Sequence, residues 1–204
     1  TLSHLVYLSR FQSANNNWNR ILRFRPVVVF APSNRFRNVM VAEVLANYTV
    51  FDFEEQVLTV KSYSFRQAAW TDSAFVSLGE RLNLHFAGTV RVYERGRLRW
   101  REFRERPEHA FVEISTWPQV TCRVRGDLRV GVGFRWFSQD RYRYDAGVRV
   151  FDQSVRSFGP TAMLEWEGRG ESRIRIHGWR ETQATHDRSL RSLSNLSLTV
   201  GFLL

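Results

Sequence analysis

The chain has 204 residues and a formal charge of +10, from 30 Lys+Arg against 20 Asp+Glu, and Lys61 is the one lysine among those thirty. Apolar residues make up 43% and charged residues 25%, which excludes a disordered or collagen-like chain and suits one domain, residues 1–204. The single cysteine, Cys122, excludes an internal disulfide and a cysteine-based zinc cluster. No run of 18 apolar residues occurs, so no transmembrane helix is predicted. The mean hydropathy of -0.36 looks soluble, but a membrane β-barrel hides its signal in alternation that averages to polar.

The chain starts at Thr1 with neither a basic n-region nor an apolar h-region, so it shows no signal peptide. A mature product would have lost one, and upstream residues are allowed for. From there the segments read with period 2. Seven windows carry the pattern: 22–30, 40–50, 82–92, 110–124, 128–136, 158–166 and 196–204. Even positions in them are apolar in 35 of 40 cases and odd positions in 9 of 33, which separates a dry face from a polar one. No even position there is charged. Nine odd ones are: Arg23, Arg25, Glu43, Arg91, Glu113, Arg123, Arg129, Arg135 and Glu165.

Arg95-Gly96, Gly126-Asp127 and Gly168-Arg169-Gly170 read as tight hairpin turns. Gln12–Asn19, Ser138–Asp145 and Thr182–Arg191 read as longer polar connections, and the 138–157 stretch is the place for a hidden extra hairpin. Segments 1–11, 57–70, 97–103, 142–151 and 172–180 are less regular. The fold class is all-β: an antiparallel transmembrane β-barrel of about 12 strands (range 10–12).

Alternation alone does not say which face meets water. Windows of 9 to 15 residues exceed ordinary globular strands and match a tilted bilayer crossing. Phe30, Trp136, Phe158, Trp166 and Phe202 stand at or near stripe ends, where an aromatic girdle would lie. Gly131, Gly133, Gly159 and Gly201 share the odd face with Arg, as a narrow lumen requires. The chain ends on the stripe Leu196, Leu198, Val200, Phe202 and Leu204. That stripe resembles the C-terminal strand of bacterial outer-membrane β-barrel proteins, which acts as an insertion signal. The family prefers an aromatic last residue, where this chain has Leu204. The resemblance covers about ten residues, and no specific family is identified. It implies a bacterial outer-membrane location, with outer-membrane lipid, the barrel-insertion machinery and an envelope protein as partners. It also puts the C-terminus and the 95–96, 126–127 and 168–170 turns on the periplasmic side. The 103–109, 138–157 and 182–191 segments then face outward.

The lumen would be lined by Arg23, Arg25, Glu43, His85, Arg91, Glu113, Arg123, Arg129, Arg135 and Glu165, with Arg paired to carboxylates. The densest charge cluster is Arg95–Arg106, with Arg97, Arg99 and Arg101 on one face. It reads either as an anion-binding patch or, the preferred reading, as a ladder paired to Glu on neighbouring strands. Ser77 and His85 share the odd stripe without a catalytic spacing, and His85 reads as a lumen hydrogen-bonding group. His186-Asp187 with Asp72 could form a protease rim, a reading that adjacent loop residues rarely repay. No nucleotide, metal or redox motif occurs, so neither a metal nor any other cofactor is expected. The expected function is non-enzymatic: a narrow pore, porin-like and favouring small anions, or a structural or partner-binding envelope protein. Nucleic acid is not the expected partner. Two other readings stay open: a soluble Arg-faced barrel or sandwich that binds an acidic partner such as nucleic acid, and a membrane-embedded lipid hydrolase or protease. The soluble reading requires the even face to be buried.

Overall fold

A computed structural model describes residues 1–6, 16–54, 61–102, 104–168, 172–185 and 190–201. Eleven strands form: β1 (Leu2–Leu5), β2 (Asn17–Phe24), β3 (Val27–Ser33), β4 (Phe36–Phe51), β5 (Tyr63–Leu78), β6 (Leu82–Arg99), β7 (Arg104–Arg125), β8 (Leu128–Asp145), β9 (Val148–Glu167), β10 (Arg173–Thr185) and β11 (Leu190–Gly201). All belong to one sheet in the order β1-β2-β4-β5-β6-β7-β8-β9-β10-β11, with β3 also on β4. Every described pairing is antiparallel and sequential hairpins build the wall. Among the described residues, β1 and β11 are the two ends of the sheet and do not pair with each other.

The eleven strands occupy ten positions. Phe24 faces Val44 and Val27 faces Val41, so β2 and β3 keep one register along β4. Between them Pro26 has no N–H to give the ladder, although its carbonyl still accepts from Ala42 N at 3.2 Å. One proline therefore splits a single wall strand into two named ones. Among the described residues the chain thus has eleven strands in ten positions, within the expected range of 10–12.

β4 to β9 run 16 to 22 residues, three times an ordinary globular strand. Two expected breaks are absent. Arg95-Gly96 is no turn: it lies inside β6, at a register shift against β7. The glycine serves close approach, since a Cβ there would sit 2.8 Å from the Arg106 carbonyl oxygen. The hairpin instead reverses through a 3₁₀ turn at Trp100–Glu102, at the opposite end of the sheet from 126–127. The 138–157 stretch is no loop and hides no extra hairpin. β8 continues to Asp145, Ala146-Gly147 turns with both φ positive, and β9 starts at Val148. Parts of the 12–19, 168–170 and 182–191 connections lie outside the described residues.

Gly159 marks the tightest approach in the wall. A Cβ built there would lie 1.8 Å from the Arg180 carbonyl oxygen and 2.8 Å from Glu181 Cα, both backbone atoms of β10. Gly201 has open space in the same test. Gly159→Ala is expected to destabilise the sheet by about 2 kcal/mol, as overpacking against backbone does. Gly201→Ala should stay within about 0.5 kcal/mol. Unfolding midpoints of the two variants beside the unmodified chain check both.

Candidate functional site

Direct cross-strand partners share a face, so the register assigns every side chain. The partner chain Glu43, Ala69, Arg91, Glu113, Gln139 crosses five strands on one face. Arg123, Arg129, Glu165, Arg175 and Thr199 form a second such row on the same face. His85 and Arg135 join it through Gln119, Gly133 and Gly159. Strands that are not direct neighbours in the sheet meet there. Trp117 of β7 lies 5.9 Å from His177 of β10, centroid to centroid, and Arg135 of β8 reaches Glu181 of β10 at 3.1 Å. The odd face is therefore the inside of the sheet's curve.

Four carboxylates organise that inner face. Glu43 takes Arg23 at 2.5 Å, Arg25 at 3.6 Å and Gln67 at 3.0 Å. Glu113 accepts from Arg91 at 3.3 Å, Tyr93 at 2.8 Å and Gln139 at 2.5 Å. Glu181 accepts from Arg135 and from Ser157 at 2.8 Å, with the Arg135 guanidinium 5.2 Å over the Trp179 ring. Glu165 is 2% exposed and holds three guanidiniums: Arg129 at 3.2 Å, Arg173 at 2.9 Å and Arg175 at 2.5 Å. A buried carboxylate needs several donors at once, and the guanidinium fork supplies them where a lysine would give one point charge. Arg123 stands directly opposite Arg129. The ten residues expected on this face all lie on it or, for Arg25, pair into it.

The even face is the reverse. Its stripes at 22–30, 36–46, 82–92, 112–124, 128–136 and 158–166 carry no charge over nine to thirteen residues. They are open to the surroundings: Phe24 is 69% exposed, Val132 65% and Leu196 75%. Among the described residues only Leu98 and Ala110 are buried hydrophobics, while the buried polar set includes Asn17, Thr49, Ser64, Gln119, Thr161 and Glu165. The soluble reading required a buried even face, and this chain exposes it. Trp136 and Phe158 face each other at one border of the stripe, and Trp166 and Phe30 stand at the other. Trp70 and Phe86 lie inside their stripes, so the girdle is not clean. Leu196, Leu198 and Val200 are exposed along the edge strand β11, while Phe202 and Leu204 lie outside the described residues.

Two positions interrupt the charge-free stripe: Arg180 on β10, and Asp72 on β5, which accepts from Asn38 Nδ2 at 2.6 Å. Asp72 is thus a strand residue on the exposed face and not part of a rim, and His186-Asp187 lies outside the described residues. His85 hydrogen-bonds Ser73 Oγ at 3.2 Å and packs edge-on against Trp117, whereas Ser77 bonds Asn83. Ser73 was not anticipated; it lies twelve residues from His85 and is brought near by the β5–β6 register. No carboxylate joins that pair through a described contact, and no metal-binding cluster of His, Cys, Asp and Glu occurs among the described residues.

Removing the Glu165 charge leaves three guanidiniums without their acceptor. Glu165→Gln is expected to cost about 2–3 kcal/mol, below the full price of breaking a buried pair because the arginines are partly solvated. Glu102 is 49% exposed and holds Arg99 and Arg104 only at 3.6 and 3.8 Å. Glu102→Gln should therefore cost under about 0.5 kcal/mol. Denaturant titration of both variants separates the two magnitudes.

No protein-family model and no curated protein matches the sequence. Among solved structures, the chain is similar to the β domain of the Bordetella autotransporter Brka, with a TM-score of 0.49 and 8% identity over 91% of this chain and 78% of that one.

Proposed function

We propose that this sheet is the wall of a non-enzymatic outer-membrane β-barrel, with the even face against lipid and the odd face around a narrow, arginine-rich lumen. One observation carries the reading: the apolar face is exposed and the buried side chains are polar and charged. In water that arrangement would leave a large apolar patch uncovered. Against hydrocarbon it is the low-energy one, because lipid takes the apolar stripe and the curved interior pairs the ions. The stripes of nine to thirteen residues match the height of a tilted bilayer crossing. Ten wall positions are an even number, as single-chain outer-membrane barrels have. The stripe Leu196, Leu198, Val200, Phe202 and Leu204, by its resemblance to the insertion strand of outer-membrane barrels, supports an outer-membrane assignment with the insertion machinery as partner.

Ion pairs and rings that meet across the interior support a narrow path for small anions, or a structural role, over an open channel.

Val132 decides between lipid and water. It is 65% exposed at the middle of its stripe. A position so exposed to water tolerates arginine within about 0.5 kcal/mol. Facing the bilayer midplane, Val132→Arg should cost about 2–4 kcal/mol. Folding stability in phospholipid vesicles reads the difference, and full solubility of the unmodified chain without detergent would refute the membrane assignment. In planar bilayers the expected current is small and anion-selective; a large non-selective conductance would refute the narrow lumen.

A further inference from the structure

On the inner face the Arg129 that stands opposite Arg123 is held by Glu165 and Glu167, but at the tip of the β6–β7 hairpin arginines face one another in two successive rungs. Arg97 stands directly opposite Arg106 and Arg99 opposite Arg104. His109 sits between Arg95 on β6 and Arg143 on β8. Like charges in direct register repel, and each such pair destabilises the hairpin that carries it. Arg97, Arg99, Arg104, Arg106, His109 and Arg143 line a single cleft of about 670 Å³. The acids nearby do not neutralise it. Glu105 is engaged by Ser64 Oγ at 2.6 Å and by Arg66. Glu102 lies 3.6 Å from Arg99 and 3.8 Å from Arg104 and is half exposed. Glu108 is the other carboxylate on the wall. The Arg97 Nε is buried and meets no acceptor. Sequence alone favoured a ladder paired to Glu here; the direct register partners are instead arginines, and Glu102 reaches Arg99 and Arg104 only at the edge of ion-pair distance.

We infer that this cleft is an anion site for a ligand bearing two phosphate groups. The guanidinium forks of Arg97 and Arg106 would grip one phosphate and those of Arg104 and Arg143 the other. A bound dianion bridges the Arg97–Arg106 rung and relieves the Arg99–Arg104 rung beside it, and it gives the Arg97 Nε its missing acceptor. The site depends only on the β6–β7 and β7–β8 registers, so it stands or falls independently of the membrane assignment. The same chemistry is offered by a free diphosphate and by the bisphosphorylated headgroup of a glycolipid.

Titration calorimetry on the detergent-purified chain tests it. One arm uses inorganic pyrophosphate. The other uses micelles of a bisphosphorylated glycolipid, with its phosphate-free counterpart as blank. Binding in either arm supports the site, and the arm that binds names the source. The double variant Arg97→Gln/Arg106→Gln is expected to lose about tenfold or more in affinity, as loss of charged hydrogen bonds does. Arg35→Gln/Arg37→Gln removes the same charge at the opposite end of the sheet and should change affinity less than about twofold if attraction is local. Thermal melting adds a second reading. Without anion the Arg97/Arg106 variant should melt at or above the unmodified chain, and pyrophosphate should raise the midpoint of the unmodified chain alone. No binding in either arm, equal losses in the two double variants, or a lower anion-free midpoint for the Arg97/Arg106 variant would each overturn the inference.

Discussion

Four glutamates on the inside of a curved sheet, Glu43, Glu113, Glu165 and Glu181, set the terms for the rest of the chain. Glu43, Glu113 and Glu165 collect guanidinium, amide or phenol donors from strands on either side, and Glu181 takes a guanidinium from β8 and a hydroxyl from β9. Bending the wall brings those donors within reach and withdraws the carboxylates from water. Desolvating a carboxylate is costly unless several hydrogen bonds replace the lost ones. Once the polar side chains turn inward, the strict alternation of a β-strand sends every second residue outward. The outward residues are the apolar stripes, and among the described residues many of their large side chains stay exposed.

The glycines follow from the same curvature. Gly133 and Gly159 sit where partner strands approach within the space a side chain would need. At Gly133 a Cβ would lie 2.7 Å from the Pro118 carbonyl oxygen and from Thr161 Oγ1. Their place on the odd stripe beside Arg129 and Arg135 lets long guanidinium side chains cross a confined interior. Arg135 uses that room to reach Glu181 and to stack over Trp179, two strands away.

Much of this was legible in the chain. Parity alone put Arg91 with Glu113 and Arg129 with Glu165 on one face, and the register pairs both couples directly. The errors share a cause. Period 2 is visible only while a strand's two faces meet different media. Beyond Phe137 both faces of β8 are polar or carry tyrosine, with Ser138, Asp140 and Tyr142 on the formerly apolar side. The alternation therefore fades while the hydrogen-bonded ladder goes on to Asp145. A fading pattern looks like a loop, and 138–157 has that look in the sequence while β8 and β9 run through it. Arg95-Gly96 misled for a related reason: glycine marks a turn or a close approach with equal force in sequence, and only the Arg106 carbonyl beside it decides. Pro26 had the opposite effect, dividing in two a strand whose register never changes. Contacts such as Ser73 with His85, or Trp117 with His177, depend on curvature and register, which no local pattern encodes.

The arginine excess acquires a location from these same arguments. Within the sheet each of the four inner carboxylates holds at least one arginine. Glu165 alone accounts for three guanidiniums. Where the wall rises past the charge-free stripe, the matching stops, and β6 and β7 place arginine against arginine in two successive rungs. A hairpin that needed only to be soluble would alternate signs across those rungs, since opposite charges stabilise a pair and like charges oppose it. At the Arg123–Arg129 rung Glu165 and Glu167 hold Arg129, whereas the two hairpin rungs retain a repulsion that folding alone gives no reason to keep. An anion between the rungs supplies the reason, and it places the uncompensated part of the positive charge at one end of the sheet and off the apolar face.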